Sequence, residues 1–103
     1  AHVDCALLDV TIASMANQAL ACLVSGNAPK RLGNAHPSIV PYSAFAASDQ
    51  SLIIAVGNDG QFARMAEVIG LADLSSDERF RTNAARVANR DVLIPMLQEV
   101  IAL

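Results

Sequence analysis

The chain of 103 residues is one small domain or pieces of two, and it has a formal net charge of −3 at pH 7. Because its seven lysines and arginines form no run, it lacks the basic stripe that nucleic-acid binding requires. Hydrophobic residues make up 53% of the chain but aromatic residues only 4%, so we expect a thin core of small side chains.

The first predicted element is a buried strand that leads into a helix. Residues 3 to 9 read VDCALLD, an almost continuous apolar run typical of a strand with both faces buried. Asp9 is predicted to cap the following helix, because a carboxylate accepts the free N–H groups of a first turn. Gly26 is predicted to end that helix in a left-handed conformation. A strand and a helix are half of a βαβ unit, so we expect a piece of a longer protein.

The same segment holds both cysteines of the chain. Cys5 and Cys22 show no CxxC or Cys/His spacing, which favours two reduced and buried side chains in a cytoplasmic protein. A disulfide or a metal-binding pair is the alternative. Polar residues Asp9, Asn17 and Gln18 interrupt the apolar run, so we predict neither a membrane span nor a signal peptide.

Residues 26 to 41 are rich in glycine and proline and are predicted to be a loop. Since Gly33 has no side chain, backbone N–H groups beside it can approach an anion. Asn34 and His36 add side chains that can donate hydrogen bonds. The loop is therefore a candidate binding element, with a plain linker as the alternative.

A β-hairpin and a helix are predicted next. Two β-type runs, residues 42 to 47 and 52 to 57, flank the polar turn SDQS. Asn58 and Gln61 then have the spacing of a capping box, and Gly70 is predicted to end the helix. Asp59 opens this helix, either as a partner of the helix dipole or as an acid or base at the end of a strand.

Helical segments are predicted to complete the chain from about Asn83 onward. Asn89 or Asp91 is expected to cap the last of them. Its inward side is predicted to consist of Leu93, Leu97, Val100 and Ile101. The predicted strands and helices together indicate a mixed α/β protein. The chain contains no sequence motif for a nucleophile, a phosphate-binding loop or a metal site, so the residues alone do not indicate an activity.

Four segments lie in order along nearly the whole chain: HVDCALLDV, SGNAPKRLGNAHPSIVPY, LIIAVGNDGQF and RFRTNAARVANRDVLIPML. Together they resemble the family III CoA-transferases, also called the CaiB/BaiF family. The resemblance implies a strand and helix of a Rossmann-like large domain at residues 1 to 25, and a linker with an active-site loop at 26 to 41. It further implies an incomplete α+β small domain, a hairpin followed by helices, at 42 to 103. Two such chains would interlock as a homodimer.

The resemblance also implies a reaction, in which CoA moves from an acyl-CoA to a carboxylic acid through an aspartyl-CoA intermediate. The nucleophilic aspartate of the family would precede residue 1, so no catalytic residue, permanently bound cofactor or metal is expected here, and CoA would be a substrate. Gly33, Asn34 and His36 occupy the position of the family's glycine loop, although only Gly33 matches its glycines.

A second candidate site is Asn58, Asp59 and Gln61, close to the Glu-Pro-Gln-Phe element of the related methylacyl-CoA racemases but shifted by one residue. Two alternatives therefore stay beside the transferase. One is a 2-methylacyl-CoA racemase or epimerase, and the other is an inactive folded piece with only an interaction role.

Overall fold

The computed structural model describes all 103 residues and divides them into two compact units, Ala1–Arg31 and Leu32–Leu103. The first unit contains two helices, α1 (Leu7–Ser14) and α2 (Ala16–Ser25). The second unit contains a hairpin, a 3-10 turn and three helices: β1 (Tyr42–Ala46), β2 (Ser51–Ala55), α3 (Asp59–Val68), the turn Ala72–Ser75, α4 (Asn83–Ala88) and α5 (Arg90–Ile101). Helices with a two-stranded antiparallel sheet confirm the predicted mixed α/β class.

The strand predicted at residues 3 to 9 is not formed. Residues 1 to 6 have no regular structure, and α1 begins at Leu7 with Ala6 as its N-cap. Asp9 therefore lies in the first turn of the helix and does not cap it. A short apolar run fits a helix as well as a strand, and a helix satisfies its own backbone groups where no neighbouring strand is available.

The helices of the first unit bury no residue, and large apolar side chains such as Leu7 and Leu23 are more than 80% exposed. Cys5 is exposed and Cys22 is half-buried, so the expectation of two buried cysteines was wrong, and no disulfide joins them. Gly26 ends α2 at a φ of 73°, as predicted. No single helix is long and apolar enough to cross a membrane, whereas α1 and α2 together reach that length and composition but bend by 74°.

The second unit is organised around a small hydrophobic core. All three phenylalanines of the chain lie in it, and none is more than 1% exposed. Nine buried residues form the core cluster: Val40, Phe45, Val56, Phe62, Ala66, Leu74, Phe80, Leu93 and Leu97. The predicted inward positions Leu93 and Leu97 are confirmed, and the few aromatic residues are concentrated where they bury the most area.

The hairpin pairs Tyr42 with Ala55 at one end and Ala46 with Ser51 at the other, as predicted. The outer edge of β1 is occupied by a side chain of α5. The Ala46 N–H donates to Oε1 of Gln98 at 3.0 Å, and Nε2 of Gln98 donates to the Ala46 carbonyl at 2.7 Å. The amide of Gln98 therefore satisfies both backbone groups of Ala46, as a residue of a third strand would.

Helix α3 begins and ends with backbone signals that the sequence predicts. Oδ1 of Asn58 accepts the N–H of Gln61 at 2.9 Å, while Oε1 of Gln61 accepts the N–H of Gly57 at 2.7 Å. The second bond reaches one residue beyond the usual capping box. At the other end Gly70 has a φ of 77°, and the Leu71 N–H donates to the Ala66 carbonyl at 2.7 Å. This is a Schellman ending.

Thr82 rather than a predicted residue caps α4, where its Oγ1 accepts the Ala85 N–H at 3.2 Å. Asn89 occupies the N-cap position of α5, but its side chain makes no cap hydrogen bond. Instead, Nδ2 of Asn89 donates to the carbonyls of Ala85 and Arg79. The boundary between α4 and α5 was therefore predicted at the right residue, but with the wrong role for its side chain.

Candidate functional site

The predicted binding loop runs over the second unit from Leu32 to Pro41. It begins with a tight turn, in which the Ala35 N–H donates to the Leu32 carbonyl at 3.1 Å. Gly33 has a φ of 61°, and a Cβ added there would meet nothing within 4 Å. The requirement for glycine is thus conformational rather than steric. Asn34 is exposed, so two of the three predicted binding residues, Gly33 and Asn34, face open space.

His36 lies at the centre of the loop and is half-buried. Its backbone N–H donates to the Tyr42 carbonyl at 2.8 Å, and its ring stacks on the ring of Tyr42 with centroids 5.4 Å apart and planes 18° from parallel. Nδ1 of His36 accepts the Ser38 N–H at 3.1 Å. Because an accepting nitrogen carries no proton, a neutral His36 in this arrangement is protonated at Nε2.

The second half of the loop is held by polar side chains of α4 and α5. Nδ2 of Asn83 donates to the Ser38 carbonyl at 2.8 Å, and Oδ1 of Asn83 accepts the Val40 N–H at 3.1 Å. Nη2 of Arg90 donates to the Pro37 carbonyl at 2.6 Å. The loop does not lie free, because side chains more than 40 residues away satisfy its backbone groups.

Arg86 connects the end of the loop to the core and is completely buried. Its Nε donates to the Val40 carbonyl at 2.6 Å, and its Nη1 donates to the Phe80 carbonyl at 2.9 Å. Its Nη2 forms an ion pair with Oδ1 of Asp59 at 2.8 Å. The guanidinium also lies over the ring of Phe62, 4.3 Å from the centroid. Each of its three nitrogens therefore has a hydrogen-bond partner, and one of its faces contacts an aromatic ring.

These three anchoring residues were missed by the sequence predictions. Asn83, Arg86 and Arg90 are spaced three and four residues apart, which places them on one side of a helical segment. A polar stripe at that spacing inside a segment that also carries buried leucines was the available signal.

The three residues of the second predicted site, Asn58, Asp59 and Gln61, all make hydrogen bonds or ion pairs that stabilise the fold. Asn58 caps α3, Gln61 accepts the Gly57 N–H, and Asp59 pairs with Arg86 while its side chain stays 53% exposed. The structure therefore gives each of them a place at the start of a helix. A role for Asn58, Asp59 and Gln61 in binding stays a prediction, as does the role of Gly33, Asn34 and His36.

A cleft of about 320 Å³ lies between the loop and the start of α5. Its walls are mostly apolar, with a small number of polar side chains, which is the usual make-up of a ligand site. The lining residues are Leu32, Ala35, His36, Ile39, Val40, Tyr42, Ser43, Arg90, Asp91, Ile94 and Pro95. The cleft brings His36 together with Arg90, whereas Gly33 and Asn34 are not among its lining residues.

An ion pair in the turn before α4 shifts the pKa values of both its members. Arg79 donates from Nη2 to Oδ2 of Asp77 at 2.7 Å and from Nε to Oδ1 at 3.1 Å. These hydrogen bonds hold the pKa of Asp77 below its ordinary value of 3.8 and raise the pKa of Arg79. No three His, Cys, Asp or Glu side chains come together as a metal ion would require.

Comparisons with a family model and with known proteins indicate the same family. The model of CoA-transferase family III matches residues 1–103. A succinate–glutarate CoA-transferase of Agrobacterium fabrum is 53% identical over 89 residues, which are 86% of this chain and 22% of that protein. An acetyl-CoA:oxalate CoA-transferase of Acetobacter aceti is 36% identical over 102 residues, which are 99% of this chain and 26% of that protein. The chain thus spans about a quarter of the length of these relatives.

A solved structure gives the same result for the fold. A CAIB/BAIF family protein from Brucella suis has a TM-score of 0.71 and 50% sequence identity, and the match covers 98% of this chain and 27% of that one. The resemblance that the four sequence segments predicted is therefore confirmed, both in sequence and in three dimensions.

Proposed function

Since the chain belongs to CoA-transferase family III, we propose that it forms part of an enzyme that transfers CoA from an acyl-CoA donor to a carboxylic acid. The match of the family model to residues 1–103 is the observation that carries this proposal. The similar proteins described above, named as CoA-transferases, support it.

The proposed chemistry is two exchanges of an activated acyl group. An aspartate that precedes residue 1 attacks the thioester carbonyl of the donor, and the CoA thiolate leaves. The thiolate then attacks the aspartyl carbonyl of the mixed anhydride, and the donor acid leaves as a carboxylate. The acceptor carboxylate repeats these steps in reverse order and takes the CoA. Each covalent step exchanges one activated acyl group for another, so the bond energy of the thioester is not lost to water.

The proposed substrates are small dicarboxylic acids and their CoA thioesters. The similar proteins are named for succinate, glutarate and oxalate, which all carry two carboxylates. One carboxylate must react, which leaves the other to be recognised by hydrogen-bond donors. The loop supplies such donors in the amide of Asn34 and in the Nε2–H of His36. We assign recognition of the substrate or intermediate to Gly33, Asn34 and His36.

The proposal extends to the organisation of the enzyme. Residues 1 to 25 would belong to its large domain, residues 26 to 41 to the linker and loop, and residues 42 to 103 to its small domain. The enzyme would act in the cytoplasm as an interlocked homodimer with acyl-CoA and a small carboxylic acid as its substrates.

The deciding experiment uses the longer protein that contains this chain. It is incubated with succinyl-CoA and glutarate, and glutaryl-CoA is measured by mass spectrometry, with butyrate as a monocarboxylate control. We expect glutaryl-CoA to form much faster than butyryl-CoA. Peptide mapping of a sample quenched during turnover should find covalently bound CoA on an aspartate before residue 1.

Two outcomes would contradict the proposal. If the 103-residue chain transferred CoA by itself, the nucleophile would lie within it. If the longer protein exchanged the α-proton of a 2-methylacyl-CoA with solvent in the absence of any acceptor acid, the racemase chemistry would replace the transferase.

A further inference from the structure

We propose that Arg90 is a positioning residue that divides the binding loop into a fixed half, His36–Val40, and a free half, Leu32–Ala35. The inference concerns how the loop is held, and its link to catalysis rests on the proposed function.

Arg90 holds the loop at its centre through two successive carbonyls. Its Nη2 donates to the Pro37 carbonyl at 2.6 Å and to the His36 carbonyl at 3.3 Å. Because one nitrogen binds the carbonyls of two successive residues, this contact restrains the backbone at both His36 and Pro37. Asn83 continues the fixation at Ser38 and Val40.

The free half has no comparable anchor. Its one backbone hydrogen bond joins Ala35 to Leu32 within the turn itself. The Asn34 side chain makes no hydrogen bond and is exposed, and the space around Gly33 is open. A segment with few contacts opens at a low free-energy cost, whereas the neighbouring anchored residues do not.

The boundary between the halves coincides with the cleft. Arg90 and His36 both line it, and the imidazole of His36 is stacked on Tyr42 directly beside the anchored carbonyl. Arg90 therefore acts on a bound substrate through His36, because it sets the peptide from which that ring projects. Both bonds come from Nη2 of the guanidinium, so methionine cannot replace them and the shorter lysine can replace them only in part.

Amide hydrogen exchange of the 103-residue chain tests this arrangement in the variants Arg90→Met and Arg90→Lys. Losing the Arg90 contacts should speed exchange at the His36 and Ser38 amides by about tenfold, the effect expected for a hydrogen bond from a charged donor. The Val40 amide should stay protected, since Asn83 holds it. Arg64→Met is the matched control, because Arg64 is exposed on α3 and forms no hydrogen bond or ion pair. Unchanged exchange at His36 and Ser38, or a uniform rise that includes Val40, would overturn the proposal.

Kinetics of the longer protein separate positioning from a merely structural role. We expect Arg90→Met to lower kcat by about tenfold or more while the KM for the acyl-CoA changes little, and Arg90→Lys to recover part of the loss. Faster local exchange with unchanged kcat would overturn the role of Arg90 in the reaction. If the wild-type protein transferred no CoA at all, the proposed function would fail, and the exchange data would still decide how the loop is held.

Discussion

Replacing Arg86 by methionine should destabilise the second unit more than any other single change to a charged side chain. Methionine keeps most of the buried volume but cannot donate, so the carbonyls of Val40 and Phe80 lose their partners inside the protein. Each unpaired buried group costs about 1–3 kcal/mol, which gives about 2–6 kcal/mol in total. At about 0.05–0.15 kcal/mol per residue, the unit Leu32–Leu103 has only about 4–11 kcal/mol to lose.

Urea unfolding provides the measurement. Tyr42 is the only tyrosine and the chain has no tryptophan, so tyrosine emission reports on the second unit alone. The unfolding midpoint of Arg86→Met should move to markedly lower urea at a similar slope. The midpoint of Arg86→Lys should lie between those of the wild type and Arg86→Met, because one ammonium group can reach only some of the three oxygen atoms that Arg86 binds.

Asp59→Asn is the control that separates hydrogen bonding from charge. It keeps an acceptor for Nη2 of Arg86, and the Asp59 side chain is 53% exposed, so we expect a loss of about 0–1 kcal/mol. The reasoning would be refuted if Arg86→Met cost less than about 1 kcal/mol, or if Asp59→Asn cost as much as Arg86→Met.

Further predictions concern the sheet edge, acid titration and association. Gln98→Ala should speed amide exchange at Ala46 by about tenfold, since it removes the partners of both backbone groups, and protection equal to wild type would contradict this. The pKa of Asp77, measured by NMR, should lie below 3.8 and should return toward that value in Arg79→Ala. Because folding lowers this pKa, the ionised carboxylate contributes a small amount of stability at pH values above the unfolded pKa. That contribution is lost as the pH falls through the folded pKa. The 103-residue chain should self-associate in sedimentation experiments through the exposed apolar side chains of α1 and α2, and deleting its first 31 residues should abolish this association. A 103-residue chain that stays monomeric at high concentration would argue against this prediction.

Local signals were sufficient for much of the second unit. Asn58 and Gly70 mark the ends of α3 because capping chemistry depends on a few neighbouring residues. The hairpin follows from β-type runs around a polar turn. The prediction of a strand at residues 3 to 9 was wrong because a short apolar run does not distinguish a strand from a helix.

The spacing of Asn83, Arg86 and Arg90 was visible in the sequence, but their partners in the loop could not be predicted, because these contacts join residues more than 40 positions apart. Arg86 looks like any surface arginine in the sequence, and only the fold shows that the carbonyls of Val40 and Phe80 converge on it. By contrast, Gly33 and His36 were singled out by composition, since glycine and a lone histidine are recognisable without neighbours. Sequence thus identified the loop, and tertiary structure identified what holds it.

The side chain of Gln98 makes the two edges of the hairpin unequal. On the β1 edge, Ala46 has both backbone groups bound by that amide, and the Tyr42 carbonyl accepts the His36 N–H. On the β2 edge, the outward groups of Ile53 have no such cover, and its side chain is 76% exposed. Growth of this sheet is therefore directional: an added strand, from a longer chain or from an aggregating neighbour, finds more unpaired backbone groups along β2 than along β1.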